Sequence, residues 1–244
     1  MQSAQQPTVS QLVRADYRLA DVFKKWGINY CCGGNLALED VCRLQGLDKA
    51  RLETEIQQAQ QTVLLSNALQ FEAWPVDFLA DYIVHVHHAY IKNTAPKLEQ
   101  AIESFAAGHQ KKYPYLLQVH GHFKKLAATL NEHMQQEEDS LFPYVKQVSN
   151  ALKRKESYGP LFVRTLHKSL PKTNGDAAQK TGVLLTALRN ATARYTFSED
   201  VCTNHQVMYR KLAEFDADLV QHQHLENNIL FPKVVQLETQ LLQL

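Results

Sequence analysis

The chain has 244 residues, 45% of them hydrophobic, which is enough to fill one large domain or a small one beside a medium one. Its formal net charge is only +1 and no basic block stands out, which argues against nucleic acid as a partner. No apolar run approaches bilayer length, and the opening MQSAQQPTVSQLVRADY lacks a basic stretch leading into an apolar one, so neither a membrane span nor a signal peptide is expected.

Four cysteines, Cys31, Cys32, Cys42 and Cys202, do not make a disulfide framework for a chain of this size, and a reducing, cytoplasmic location follows. Glycine and proline are sparse, strand-like alternation is absent, and segments rich in Ala, Leu, Gln, Lys and Glu dominate. The fold class is all-α: a small three-helix domain over 1–65, a connection over 66–76, and a four-helix bundle over 77–244.

In the first domain, Asp16 to Lys25 makes a short helix with Leu19, Val22, Phe23 and Trp26 on its apolar side, ending at Gly27. Leu36 to Leu44 restarts a helix that Gly46 stops, and Lys49 to Leu64 makes a third. So small a unit is near the lower limit for a stable core and is expected to lean on the rest of the chain or on a second copy, as in a homodimer. Its conspicuous feature is Cys31-Cys32-Gly33-Gly34. Two adjacent thiols at the start of a helix suit metal transfer, thiol exchange or pairing with another chain, because the helix dipole favours the thiolate. The alternative is two small residues buried in a tight turn.

Pro75 suits the first turn of the next helix. That helix runs to about Ala107, with Ile83, Val84, Ile91, Leu98, Ile102 and Phe105 at helical spacing. It carries His85, His87 and His88. One ligand is expected among them: His88 faces inward with Val84 and Ile91, and His87 is nearly as well placed. A second helix opens at Pro114, and a fourth runs from Asp200 through Leu212, Phe215 and Leu219.

These two helices repeat one motif. Residues 133–143 read HMQQEEDSLFP and residues 222–232 read HQHLENNILFP. Positions i and i+4 of a helix share a face, so His133 with Glu137, and His222 with Glu226, each offer an imidazole and a carboxylate to one point. A single His-x-x-x-Glu is usually a solvated pair. Two copies running into the same Leu-Phe-Pro point to a metal site inside a bundle, and nitrogen and oxygen donors without thiolate suit iron or manganese.

The third helix breaks the pattern. The offset of 45 residues from His88 to His133, counted back from His222, leads to Ala177 between Asp176 and Ala178. His167 is ten residues too early, about 15 Å along a helix. Asn174-Gly175-Asp176 reads instead as a helix start, with Asn174 or Asp176 as N-cap.

Taken together, NYCCGG, HMQQEEDSLFP and HLENNILFP resemble the iron-sulfur cluster repair di-iron proteins, over nearly the whole chain. The resemblance implies an antiparallel hemerythrin-like four-helix bundle holding two non-haem irons, behind a domain with paired thiols. It implies His88, His133, Glu137, His222 and Glu226 as iron ligands, the two glutamates bridging, with His109 at a further family histidine position. Cys31 and Cys32 match the family's thiols and would pass iron or electrons, or engage a partner. The implied role is repair of clusters damaged by oxidative or nitrosative stress, by iron donation or by handling nitric oxide, with damaged iron-sulfur proteins and NO or O2 as partners. Where the family has a third-helix ligand, Asp176, His167 or water is left, so one iron position is expected to be impaired. Two other readings stand beside this one: an oxygen- or NO-binding hemerythrin-like sensor, and a ligand-deficient bundle with a regulatory partner.

Overall fold

The computed structural model describes residues 6–31, 34–60, 69–166 and 170–244, with the side chains of 170–178 left out. Cys32, Gly33, His167 and the side chains of Asp176, Ala177 and Ala178 therefore lie outside the described residues. The chain is all-α, and its contacts divide it into two units: Met1–Asn67 with Tyr195–Lys211, and Ala68–Arg194 with Leu212–Leu244.

The first unit opens with a helix absent from the sequence reading, α1 (Val9–Ala15), ahead of α2 (Leu19–Lys25), α3 (Leu38–Gln45) and α4 (Lys49–Gln60). A capping box starts α1: Thr8 accepts from the Gln11 backbone N–H, and the Gln11 side chain accepts from the Thr8 N–H. Its core gathers Val9, Val13, Leu19, Phe23, Val41 and Leu52, and Val207 completes it from residues 195–211. Residues 203–211 are tied to this unit by Ser10 Oγ to Thr203 Oγ1 (3.0 Å) and by Lys211 to Asp21 (2.6 Å). The small core thus borrows a late segment of the same chain, which enlarges the apolar area it buries.

The second unit is an antiparallel four-helix bundle. Helix α5 (76–109) turns through 110–115 into α6 (116–154), and the short α7 (Gly159–Leu166) leads to α8 (Leu170–Ala191), which packs on α6. Helix α9 (203–242) supplies the fourth side. Phe71 and Trp74, ahead of α5, pack on the bundle core, and Lys233 of α9 donates to the Glu72 carbonyl at 2.8 Å. A forked pair, Arg189 Nε to Asp216 Oδ2 at 2.7 Å, joins α8 to α9.

Helix α8 corrects the sequence reading of the third helix. It begins at Leu170 rather than at Asn174 or Asp176, so Asn174, Gly175 and Asp176 lie inside it. Pro171 sits in the first turn, where its missing N–H costs nothing and its fixed φ suits a helix. That start outweighs an interior Gly175, which costs about 1 kcal/mol.

Candidate metal centre

Three helices change pitch where they carry histidine and glutamate. Residues Ile83–His88 of α5, Glu137–Leu141 of α6 and Leu225–Leu230 of α9 are π turns set in otherwise α-helical rods. The Phe142 N–H donates to the Glu137 carbonyl and the Phe231 N–H to the Glu226 carbonyl, each five residues back. Pro143 and Pro232 follow at once, and a proline has no N–H to close the ordinary four-residue bond. Each Leu-Phe-Pro ending therefore lets the preceding turn open, and the opened turn holds the glutamate.

His88, His222, Glu137 and Glu226 are each at most 1% exposed and His133 is 7% exposed, with buried Phe142 stacked on His88, ring centroids 5.6 Å apart. One nitrogen or oxygen from each of His88, Glu137, His222 and Glu226 falls within 4.8 Å of the others. His88 Nε2 lies 3.1 Å from His222 Nε2, and His222 Nε2 lies 2.7 Å from Glu226 Oε1. Across the pair of carboxylates, His133 Nε2 is 3.1 Å from Glu137 Oε1 and 3.9 Å from Glu226 Oε2. His88 Nε2 is 3.5 Å from Glu137 Oε2 and 3.9 Å from Glu226 Oε1. Each glutamate thus turns one oxygen toward the His88–His222 pair and the other toward His133.

Charge is shared unevenly. Burial pushes the Glu137 carboxyl up, and the Glu226 charge beside it adds to the effect, to about 7. Burial acts on Glu226 in the same sense, but His222, His133 and His88 outweigh it and hold that carboxyl well below its ordinary range. Burial alone would lower the His88 imidazole; Glu137, Glu226 and Glu138 overcome it and lift His88 to about 9. His133 is raised in the same way, burial being overcome by Glu226 and Glu137.

The donor set fits a cation. Both Glu137 oxygens are buried with no hydrogen-bond partner, so His133 at 3.1 Å and His88 at 3.5 Å are electrostatic neighbours rather than donors. A buried carboxylate without a donor needs positive charge beside it. Two imidazole nitrogens 3.1 Å apart, both facing inward, match two ligands of one ion, since metal–nitrogen bonds of about 2.1 Å set at right angles bring nitrogens to about 3 Å.

Comparison with known proteins places this geometry. Residues 79–234, well over half of the chain, match the hemerythrin HHE cation binding domain. The chain belongs to the hemerythrin HHE family. Residues 5–60 match ScdA_N, a domain of unknown function. The chain is 25% identical to iron-sulfur cluster repair protein ScdA of Staphylococcus haemolyticus, over 88% of its own length and 91% of the relative's. It is 27% identical to a probable iron-sulfur cluster repair protein of Haemophilus influenzae, over 94% and 97% of the two chains. It is also 27% identical to iron-sulfur cluster repair protein YtfE of Musicola paradisiaca, over 93% and 96%.

Within the HHE domain, the three clustered histidines of α5 divide. His85 is exposed, while His87 and His88 are both buried. His88 faces the centre, and its Nδ1 meets Glu138 Oε1 at 2.7 Å, where Lys92 Nζ also lands at 2.7 Å. His87 turns to Asp218 instead. His109 bonds back to the Phe105 carbonyl of its own helix at 3.1 Å and stands outside the cluster. Glu138, Lys92 and Asp218 were missed from sequence. The signal for Asp218 was its place four residues before His222, one turn away on the same face.

In the ScdA_N domain, Cys31 corrects an expectation. It does not stand at a helix start: it lies in a bend, its N–H donating to Asn29 Oδ1 at 3.0 Å, and α3 begins only at Leu38. The chain between is drawn against α1, the Val9 N–H donating to the Leu36 carbonyl at 3.0 Å and the Ser10 N–H to the Gly34 carbonyl at 2.9 Å. A Cβ at Gly34 would stand 2.5 Å from the Tyr30 carbonyl oxygen, so the bend requires glycine there. No helix dipole therefore acts on Cys31 from α3. Among the described residues, no helix is long and apolar enough to cross a membrane.

Proposed function

We propose that this chain is a di-iron protein of iron-sulfur cluster repair, holding two irons between Glu137 and Glu226. The observation that carries this reading is the opposed orientation of the two carboxylates: each divides its oxygens between the His88–His222 pair and His133. His88, His222 and one oxygen of each glutamate would hold one iron; His133 and the other two oxygens would hold the second. Near-full-length similarity to relatives named as repair proteins supports the role.

Iron, when bound, supplies one-electron chemistry and coordination positions open to a small molecule such as nitric oxide or oxygen. The residues do the rest. Glu138 fixes the tautomer and ring direction of His88. Burial of Glu137 and Glu226 keeps bulk water from the carboxylates, which would strengthen their hold on a cation. The two positions are unequal, because the His133 side has one imidazole among the described residues and the other side has two. The His133 side, with fewer imidazoles to hold an iron, would be the side from which iron is donated to a damaged cluster. Cys31 and Cys32 would supply sulfur ligands, which suit iron and clusters alike.

The test is iron analysis of anaerobically loaded protein. Wild type should carry two irons per chain, and Glu226→Ala should lose most of both. Unchanged iron in that variant would refute the ligand set.

A further inference from the structure

His87 has no place in the proposed ligand set, yet it is 2% exposed in the bundle interior. Its Nδ1 lies 2.9 Å from Asp218 Oδ1, and its Nε2 is buried with no hydrogen-bond partner. Its ring stacks on that of His222, centroids 5.8 Å apart and planes 7° from parallel. His222 turns Nε2 toward His88 and Glu226, and its Nδ1 is likewise buried with no partner. Asp218 Oδ2, one turn before His222 on α9, is a third such atom. The Tyr82 ring closes the group from α5, its centroid 5.7 Å from that of His87.

The protons on these rings follow from their contacts. An imidazole that gives Nε2 to a cation carries its hydrogen on Nδ1, so His222 presents a buried donor. The carboxylate beside Nδ1 of His87 keeps the hydrogen there, so Nε2 of His87 is a buried acceptor. Asp218 Oδ2 is a second acceptor. One water that accepts from His222 Nδ1–H and donates to His87 Nε2 and Asp218 Oδ2 satisfies all three atoms.

We propose that His87 and Asp218 are positioning residues for His222, coupled to it through one buried water. They stand behind His222 as Glu138 stands behind His88, so each of the two imidazoles sharing an ion has a carboxylate at its back. The arrangement fixes the His222 ring and raises its basicity toward the cation. This inference rests on the metal reading above.

The experiment is an anaerobic Fe(II) titration of wild type, His87→Leu, His87→Gln and Glu226→Ala, with melting temperatures of each metal-free protein. His87→Leu should weaken the tighter iron by about 10–100-fold, while His87→Gln, whose amide oxygen can accept in the same place, should stay within about threefold of wild type. The metal-free melting temperatures of these two variants should be alike. Wild-type affinity in His87→Leu, or an equal loss in both His87 variants, would show that His87 only packs and would overturn the proposal. A wild type that takes up no iron, or a Glu226→Ala variant that takes up as much, would instead overturn the metal reading beneath it.

Discussion

The two His-x-x-x-Glu turns share a sequence pattern, a π turn and a Leu-Phe-Pro ending, yet their carboxylates sit in opposite electrostatic states. Glu226 receives His222 at 2.7 Å and is held ionised by three imidazoles. Glu137 is as deeply buried, has no hydrogen-bond donor, and is pushed up to about 7. The difference comes both from each turn's own histidine, which bonds Glu226 but not Glu137, and from what each turn faces across the bundle. His222 bonds Glu226 directly, while His88 and His133 stand near both carboxylates without bonding Glu137. One motif used twice therefore gives one settled carboxylate and one that waits for a cation.

The largest expected effect of that asymmetry is on metal-free stability. Glu226→Gln removes the charge on which buried imidazoles depend and should cost about 3–5 kcal/mol. Glu137→Gln removes a charge that nothing hydrogen-bonds and should change stability by less than about 1 kcal/mol. Urea unfolding of the two variants at neutral pH checks this, and equal losses would break the contrast.

The pH dependence comes next. In the metal-free protein His88 titrates near 9 against an ordinary 6.5, and Glu137 near 7 against 4.5. The folded state thus keeps protons that the unfolded chain has lost, and stability must fall as the pH rises through that interval. The His88 contribution is complete below 6.5 and is lost as the pH passes 9. The Glu226 contribution has the other sign: it is present above 4.5 and is lost as the pH falls below it. The metal-free melting temperature should therefore drop by about 5–10 °C from mildly acidic to alkaline pH. Added iron should reverse the trend, because a cation competes with those protons and binds better as they leave. Parallel slopes with and without iron would contradict the shared site.

The smallest effect sharpens the comparison of the two turns themselves. Pro143→Ala and Pro232→Ala each return an N–H that can close the opened turn. Each should alter metal-free stability by less than about 1 kcal/mol and iron affinity by less than about tenfold. Amide exchange across 137–143 and 226–232 would show whether the turns tighten.

The bundle and the inward-facing His133, Glu137, His222 and Glu226 were legible in the sequence because helical period and the doubled motif record directly which side chains share a face; period alone left His87 beside His88, and both are buried. The π turns were not, since one extra residue in a rod of more than thirty hardly disturbs an apolar stripe; only the prolines after Leu-Phe hinted at them. Thr8-x-x-Gln11 announced α1, but no apolar run long enough to attract notice follows it. Cys31 was placed at a helix start because a helix was read as beginning at Leu36, a few residues on. In the structure the chain after Gly34 turns and pairs Leu36 with Val9 and Ala37 with Thr8. The start of α8 was misread because Asn174-Gly175 is a strong local turn signal, and a start with Pro171 in the first turn outweighs it. Asp218 and Glu138 were passed over because a carboxylate behind a histidine carries no periodic mark of its own.

Mössbauer spectroscopy of protein loaded anaerobically with iron-57 tests the shared-carboxylate claim most directly. Two quadrupole doublets of equal area from magnetically coupled irons are expected, distinct because the proposed ligand set would give one iron two imidazoles and the other one. A single uncoupled iron, or a spectrum unchanged by Glu226→Ala, would contradict it.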